Sequence, residues 1–358
     1  MTAPYDICVA GGGPAGTSAA ITAARAGCRV LLLERGTYPR HKVCGEFLSP
    51  EGAAALGGLL SGTKPLDTAM KIHRARIYAS ERELSIDLPN PGTSLSRNEL
   101  DEALWSSAIE AGVEARDGCE VLSVSRDSPF TIETRGETLT ANVVINASGR
   151  WSRVSRKPLP TGTGDRWIGL KAHFRELEAS PTTDLYFFDG GYCGVQPVAP
   201  DVVNVCALLQ SGTAASLGRA FELSARLKAR SRHWTPLFEE LACAPVQFLP
   251  LTPVAENAFN AGDAAGFVDP FAGDGISLAL RSGILAAEFA AAVVASRLTL
   301  PVALDLYARE YQERFRTIFR SAAFFRHGLN LPPVARATLL SALRVPSLAR
   351  FAVRMTRG

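Results

Sequence analysis

The 358-residue chain has no run of 18 apolar residues free of charge, so no segment reads as a membrane-spanning helix. It has no C-x-x-C pair. Its seven cysteines are scattered and odd in number, which argues against a disulfide framework or a zinc ribbon and suggests reduced thiols in a cytosol. It has little excess charge. A net charge of +3 gives no overall reason to expect a nucleic-acid partner. There is no internal repeat and no low-complexity stretch. The first residues carry Asp6 and run straight into a glycine turn, unlike a secretory leader. With 47% hydrophobic and 20% charged residues, the composition is globular, and the length suits one large or two medium domains. A second G-x-G-x-x-G is also missing, so there is no separate nicotinamide-binding fold.

The one such motif follows an apolar strand: Tyr5-Asp-Ile-Cys-Val-Ala, then Gly11-Gly-Gly13-Pro14-Ala15-Gly16. An Ala-rich helix runs on from Thr17 to a stop at Gly27, a second strand spans Cys28–Leu33, and Glu34 stands at its tip. The first glycine permits a tight turn, the second lets a pyrophosphate approach the backbone, and the third lets helix and strand pack closely. The helix N-terminus offers free N–H groups to the phosphates, and Glu34 can accept hydrogen bonds from ribose hydroxyls. The register points to the ADP half of a dinucleotide, either NAD or FAD.

A second segment favours FAD. In Phe259-Asn-Ala-Gly-Asp263-Ala-Ala-Gly266, an acid follows a short apolar run. It leads through Pro270-Phe-Ala-Gly273-Asp-Gly275-Ile276 into a helix over 276–297. Asp263 can accept hydrogen bonds from a ribityl chain. The helix start near Gly275 can aim its positive end at the electron-rich edge of an isoalloxazine. Together with Lys42-Val-Cys44-Gly45-Glu46, Ser96-Arg97-Asn-Glu-Leu-Asp101 and Asn146-Ala-Ser-Gly149-Arg-Trp-Ser152, these motifs make residues 1–300 resemble FAD-dependent oxidoreductases built like aromatic-ring hydroxylases. Within them the chain is most similar to the geranylgeranyl-reductase-like group. The resemblance implies cofactor contacts at Gly11, Gly13, Pro14, Ala15, Gly16, Glu34, Arg35, Cys44, Gly45, Arg97, Val121, Gly149, Asp263, Gly273, Gly275 and Ile276. It implies FAD as the resident cofactor and NADPH or NADH as a transient electron donor.

The expected fold is α/β: a Rossmann-type FAD domain (1–68, 92–165 and 252–300), an inserted, mostly antiparallel substrate sheet (69–91 and 166–251) and a helical C-terminal region (301–358). A hairpin is expected over 71–88, a helix over 97–112, strands over 120–124, 131–134, 143–146, 167–174, 184–188, 192–197 and 202–209, and a helix over 214–230.

Several side chains carry two readings. Cys44 lies in a Gly- and Pro-punctuated loop. It is either a catalytic thiol beside the flavin or a small residue that lets the loop pass. Arg97 and Asp101 form either a surface i,i+4 pair or part of a phosphate clamp. Asp274 is either a solvated turn acid or a group that tunes the flavin. Lys171 and His173, with Tyr192 and Gln196 on the next strand, either line a substrate cavity or face water. Where archaeal prenyl reductases carry Tyr-x-Trp-x-Phe-Pro, this chain reads Tyr192-Cys-Gly-Val-Gln-Pro197. The Trp-x-Trp-x-Ile-Pro of tryptophan halogenases is absent.

From Arg309 to Arg357 there are ten arginines and no lysine. That tail is either a basic amphipathic surface for a membrane or carrier-protein partner, or helices that pack their apolar faces on the domain. The reading is a cytoplasmic FAD-dependent oxidoreductase acting on a small apolar or aromatic molecule, by C=C reduction or monooxygenation. A flavin-dependent halogenase and a non-catalytic nucleotide-binding protein are the alternatives.

Overall fold

The computed structural model describes residues 3–62, 64–79, 82–150, 154, 167–248 and 251–329. Trp151, Ser152 and the arginine-rich stretch after residue 329 lie outside them.

The nucleotide-binding sheet grows from the apolar run at the N-terminus. Tyr5–Ala10 pairs in parallel with Val30–Leu33 on one side and with Thr138–Asn146 on the other. Every residue of Val30–Leu33 is buried, as expected for a strand covered on both faces. The path ends with Glu114–Arg116 at one edge and the Val254–Ala255/Ala258–Asn260 hairpin at the other. An antiparallel flank, Val121–Val124 and Phe130–Thr134, completes eight strands. Three helices cover it: Pro14–Arg25, Arg97–Glu110 and Gly275–Val294. The first and third meet closely at Gly283, where a Cβ would stand 2.1 Å from the Ala15 carbonyl oxygen.

By length and composition, Gly275–Val294 could cross a membrane. However, 67% of its most apolar stretch is buried inside the fold, which makes it the central core helix. It ends at Val294, before the expected 297, and Ser296 has a positive φ.

The second sheet has nine strands and is antiparallel except where Thr182–Phe188 runs parallel to Met70–Ala79. Three of its strands escape the periodicity, among them the two-residue Thr235–Pro236 that pairs with Phe174 and Arg175. Phe47–Leu48 pairs with Thr93 and Ser94, and Leu241–Val246 pairs with Trp167–Arg175. The helix expected over 214–230 is instead two short ones, Leu217–Phe221 and Ala225–Arg230. Ser224 breaks it: its hydroxyl accepts from the Leu227 N–H and caps the second helix.

The C-terminal helix Leu300–Leu329 buries Tyr307, Tyr311, Phe315, Ile318 and Ala322, a stripe at helical spacing. Tyr307 donates to the Asn260 carbonyl at 2.6 Å. Arg309, Arg314, Arg316 and Arg320 are exposed. To that point the tail packs its apolar face on the domain and solvates its arginines.

Candidate active site

The glycine turn is built as its sequence requires. Gly11 has φ +107°, and a Cβ there would lie 2.3 Å from the Ala147 carbonyl oxygen. A Cβ on Gly16 would lie 1.7 Å from Gly11 O, so the third glycine sets helix–strand contact. Gly13 caps the helix Pro14–Arg25 and differs from both. A Cβ there would meet nothing nearer than Arg97 Nη2, at 4.0 Å, so its backbone borders open space.

That space is a cavity of about 630 Å³ between the two sheets, within the ~300–1,000 Å³ usual for small-molecule sites. Gly13, Pro14, Ala15, Arg35, Cys44, Gly45, Arg97, Gly149, Asp263, Gly273, Gly275 and Ile276 line it. Gly11, Gly16, Glu34 and Val121 do not. Val121 opens a flanking strand, close in sequence to Cys119, whose N–H donates to the Glu34 carbonyl at 2.8 Å.

Glu34 is buried behind the turn. Its Oε2 accepts from the Gly12 N–H at 2.7 Å, and its Oε1 accepts from the Gly36 N–H at 2.9 Å and from Arg40 Nη1 at 2.6 Å. Burial raises its carboxyl, but Arg40 and the two backbone donors outweigh burial and hold it at about 2. Carboxylate oxygens offer about four lone-pair sites, so one remains for a ribose hydroxyl. Tyr38 donates to the Gly12 carbonyl and stacks on Trp105 at 4.5 Å. The sequence reading did not pick out Tyr38 or Arg40. Their only signal was closeness to Glu34 in the chain.

Arg97 is no surface residue. Its Nε and Nη2 each lie 2.7 Å from a carboxylate oxygen of the buried Asp101, and its guanidinium also reaches the Cys44 sulfur. Burial lowers its pKa, but Asp101 and Cys44 raise it more, so the charge is secure at the cavity wall. The Glu46 N–H donates to Cys44 Sγ at 3.4 Å. Cys44 itself lines the cavity.

Asp263 also lines the cavity. Its carboxyl is raised, first by desolvation, with Arg150 and Arg97 opposing. Arg150 Nε stands 3.8 Å away. Asp274 is not a solvated turn acid: it is 1% exposed, and neither carboxyl oxygen has a well-formed hydrogen bond. Desolvation pushes it up to about 6, and Ser49, Ser277 and Arg281 pull it back only in part.

The second sheet supplies the far wall. Ala75, Ile77, Ile86 and Leu185 give it an apolar surface. Tyr192 adds a buried hydroxyl without a partner, packed against Phe187 and Phe271. Gln196 lines the cavity and donates to Ser94 at 2.8 Å. Lys171 and His173, expected either in the cavity or in water, are in neither. Both are buried and close on Glu46, which the sequence reading named only as part of a motif and gave no role.

The family "FAD dependent oxidoreductase" matches residues 6–151. The chain is 28% identical over 381 residues to a menaquinone reductase of Mycobacterium tuberculosis, covering 98% of this chain and 90% of the relative. It is 31% identical over 341 residues to the geranylgeranyl diphosphate reductase of Rhodobacter capsulatus, covering 88% and 82%. A geranylgeranyl bacteriochlorophyll reductase-like structure from Thermoplasma acidophilum superposes with a TM-score of 0.81 at 23% identity, covering 99% and 95%. The flavin-dependent brominase Bmp2 superposes equally well, with a TM-score of 0.81 at 21% identity, covering 99% and 93%. At such identities the two structures establish the fold and leave the chemistry open. The reductase relatives go further: the chain is an FAD-dependent oxidoreductase and belongs to the geranylgeranyl-reductase-like family.

Proposed function

We propose that this enzyme reduces a carbon–carbon double bond in an apolar, isoprenoid-like substrate, with NADPH or NADH as the visiting donor. The observation that carries the reading is the placing of Cys44. Cys44 lines the cavity together with Arg97 and the apolar residues Ala75, Ile77, Ile86 and Leu185. The reductase names of the relatives support it.

The residues present fit FAD. Gly13 leaves open space for a pyrophosphate. Arg97 supplies fixed positive charge, Glu34 retains an acceptor site for ribose, and Asp263 presents an acceptor for a ribityl chain. The N-terminus of Gly275–Val294 faces the cavity through Gly275 and Ile276. Bound FAD supplies the two-electron chemistry. The protein excludes water with its apolar wall, and the Cys44 S–H gives the proton to the alkene carbon that does not receive the hydride. Solvent then restores that proton. At the positions where prenyl reductases carry Trp and Phe, Gly194 and Gln196 leave the wall lower and one point more polar. Among the described residues all seven cysteines are free, which supports a reducing, cytoplasmic setting.

The test is a single turnover without oxygen. Reduced enzyme is mixed with geranylgeranyl diphosphate or with menaquinone, and the product is weighed. A gain of two hydrogens with reoxidation of the flavin is expected. Reoxidation only on admitting oxygen, with an oxygen atom in the product, would replace this reading with monooxygenation.

A further inference from the structure

Glu46 adopts φ +61°, a left-handed conformation that a non-glycine residue holds only when its surroundings over-determine it. Its surroundings do so. Its N–H donates to Cys44 Sγ at 3.4 Å. Its carbonyl accepts the Leu95 N–H at 3.2 Å and, at 3.4 Å, the Ser94 hydroxyl. Its Oε1 accepts the Arg97 N–H at 2.7 Å and also bonds Lys171 Nζ. Its Oε2 lies 2.7 Å from His173 Nε2. Glu46 and Lys171 have fully buried side chains, and His173 nearly so. One carboxylate therefore ties together the Cys44 loop, the start of the Arg97 helix and a strand of the second sheet.

Other groups face this carboxylate. His41, on its own loop, lies edge-on to His173 at 5.1 Å and stacks on Phe238 at 4.0 Å. Cys206, cross-strand partner of Lys171, feels the charges of Glu46, Lys171 and Cys44. His41, Glu46 and His173 bring their ligand atoms within 4.8 Å of one another, a spacing that also suits a divalent cation. Lys171 decides against one: its ammonium already neutralises Glu46, and a dication beside it in a dry interior would meet uncompensated repulsion.

We infer that Glu46 is a positioning residue, and that its neutralisation by Lys171 holds the left-handed turn that presents Cys44 to the cavity. Importance for turnover rests on the proposed role of Cys44, whereas the structural claim does not. With Lys171 in place, one buried ammonium answers the buried carboxylate. Without Lys171, a lone buried carboxylate is costly. Either Glu46 or His173 must then take up a proton, and the turn holds only while that proton stays bound.

The experiment follows alkylation of Cys44 by iodoacetamide, resolved by peptide mass spectrometry, in flavin-free and flavin-loaded protein from pH 5.5 to 8.5. The quantity compared is the ratio of variant to wild-type rate, which cancels the thiol's own ionisation. For Lys171→Met the ratio should be near one at low pH. It should change at least about fivefold across a step near the histidine range, ~6.5. Lys171→Arg, which keeps the charge, should abolish the step. If Lys171→Met does not fold, Glu46→Gln with Lys171→Met removes both charges together. That pair, neutral at every pH like the proton-bound state of Lys171→Met, should label Cys44 at close to the wild-type rate across the range. A ratio of one at every pH in Lys171→Met, or a pH-dependent step in the double variant, would overturn the proposal. So would a stoichiometric divalent metal in the purified protein whose removal by chelator changes Cys44 labelling. Neither substrate nor turnover enters the readout, so failure of the reductase reading leaves this test intact.

Discussion

Gly13 and Arg97 face each other across open space: a Cβ on Gly13 would come no closer than 4.0 Å to Arg97 Nη2. The same is not true of Gly11 or Gly16, where a Cβ would strike backbone. The three glycines of one motif therefore fail in different ways. Gly13→Val should fold, because the branch enters the cavity, yet it should purify colourless, because that branch fills the space proposed for the pyrophosphate. Folding is checked by circular dichroism and flavin content by absorbance near 450 nm. A folded, fully yellow variant would remove the turn from the cofactor site.

Asp263 presents a partly exposed carboxyl to the cavity. Asp263→Ala should weaken FAD binding by about 1–3 kcal/mol, the range for leaving a polar group of the ligand unpaired. Titration of the flavin-free protein gives the number, and an unchanged dissociation constant would place the ribityl chain elsewhere.

How much of this was legible beforehand follows from sequence distance. The turn at Gly11–Gly16, the strand Val30–Leu33 and Glu34 are local, and spacing alone revealed them. Glu46 lies more than 120 residues from both Lys171 and His173 in the chain. Lys171 and His173 read only as the polar positions of an alternating strand, because alternation records which face a side chain is on and not what covers that face. Asp274 was left between two readings for a related reason. A glycine-flanked acid suggests a wet turn, and only the packing of Ser49 and Ser277 against it shows a dry one. Leu241–Val246 carries Pro245 and only weak apolar alternation, so its edge position in the sheet came from pairing with Trp167–Arg175 rather than from its own pattern.

Asp274 gives a pH dependence with a definite sign. Its carboxyl is raised from 3.8 to about 6 in the fold by burial, so between those values the folded state binds the extra proton. Stability contributed by this group is therefore present at low pH and lost as pH rises through that window. Asp274→Asn should match wild type near pH 4 and exceed it at pH 8 by up to about 3 kcal/mol. Thermal melts at the two pH values test this. An equal difference at both would show that the carboxyl does not titrate as described.

Gly194 lines the apolar wall, and a Cβ there would sit 3.4 Å from Leu185 Cδ2. Gly194→Trp restores the residue found at this place in the prenyl reductases and fills cavity volume. With a substrate accepted by the wild type, KM should rise at least about tenfold, equivalent to ~1.4 kcal/mol, with FAD content unchanged. An unchanged KM would show that substrate approaches by another wall.

The role of Cys44 is tested most directly by stopped-flow mixing of reduced enzyme with alkene substrate in the absence of oxygen, comparing wild type with Cys44→Ser. A hydroxyl is a far weaker acid than a thiol of ordinary pKa ~8.5. The account predicts that Cys44→Ser takes up FAD normally, accepts electrons from NAD(P)H at the wild-type rate, and then reoxidises with substrate at least about a hundredfold more slowly. Reoxidation at the wild-type rate, giving the same reduced product, would contradict it and leave Cys44 as a packing residue of the loop.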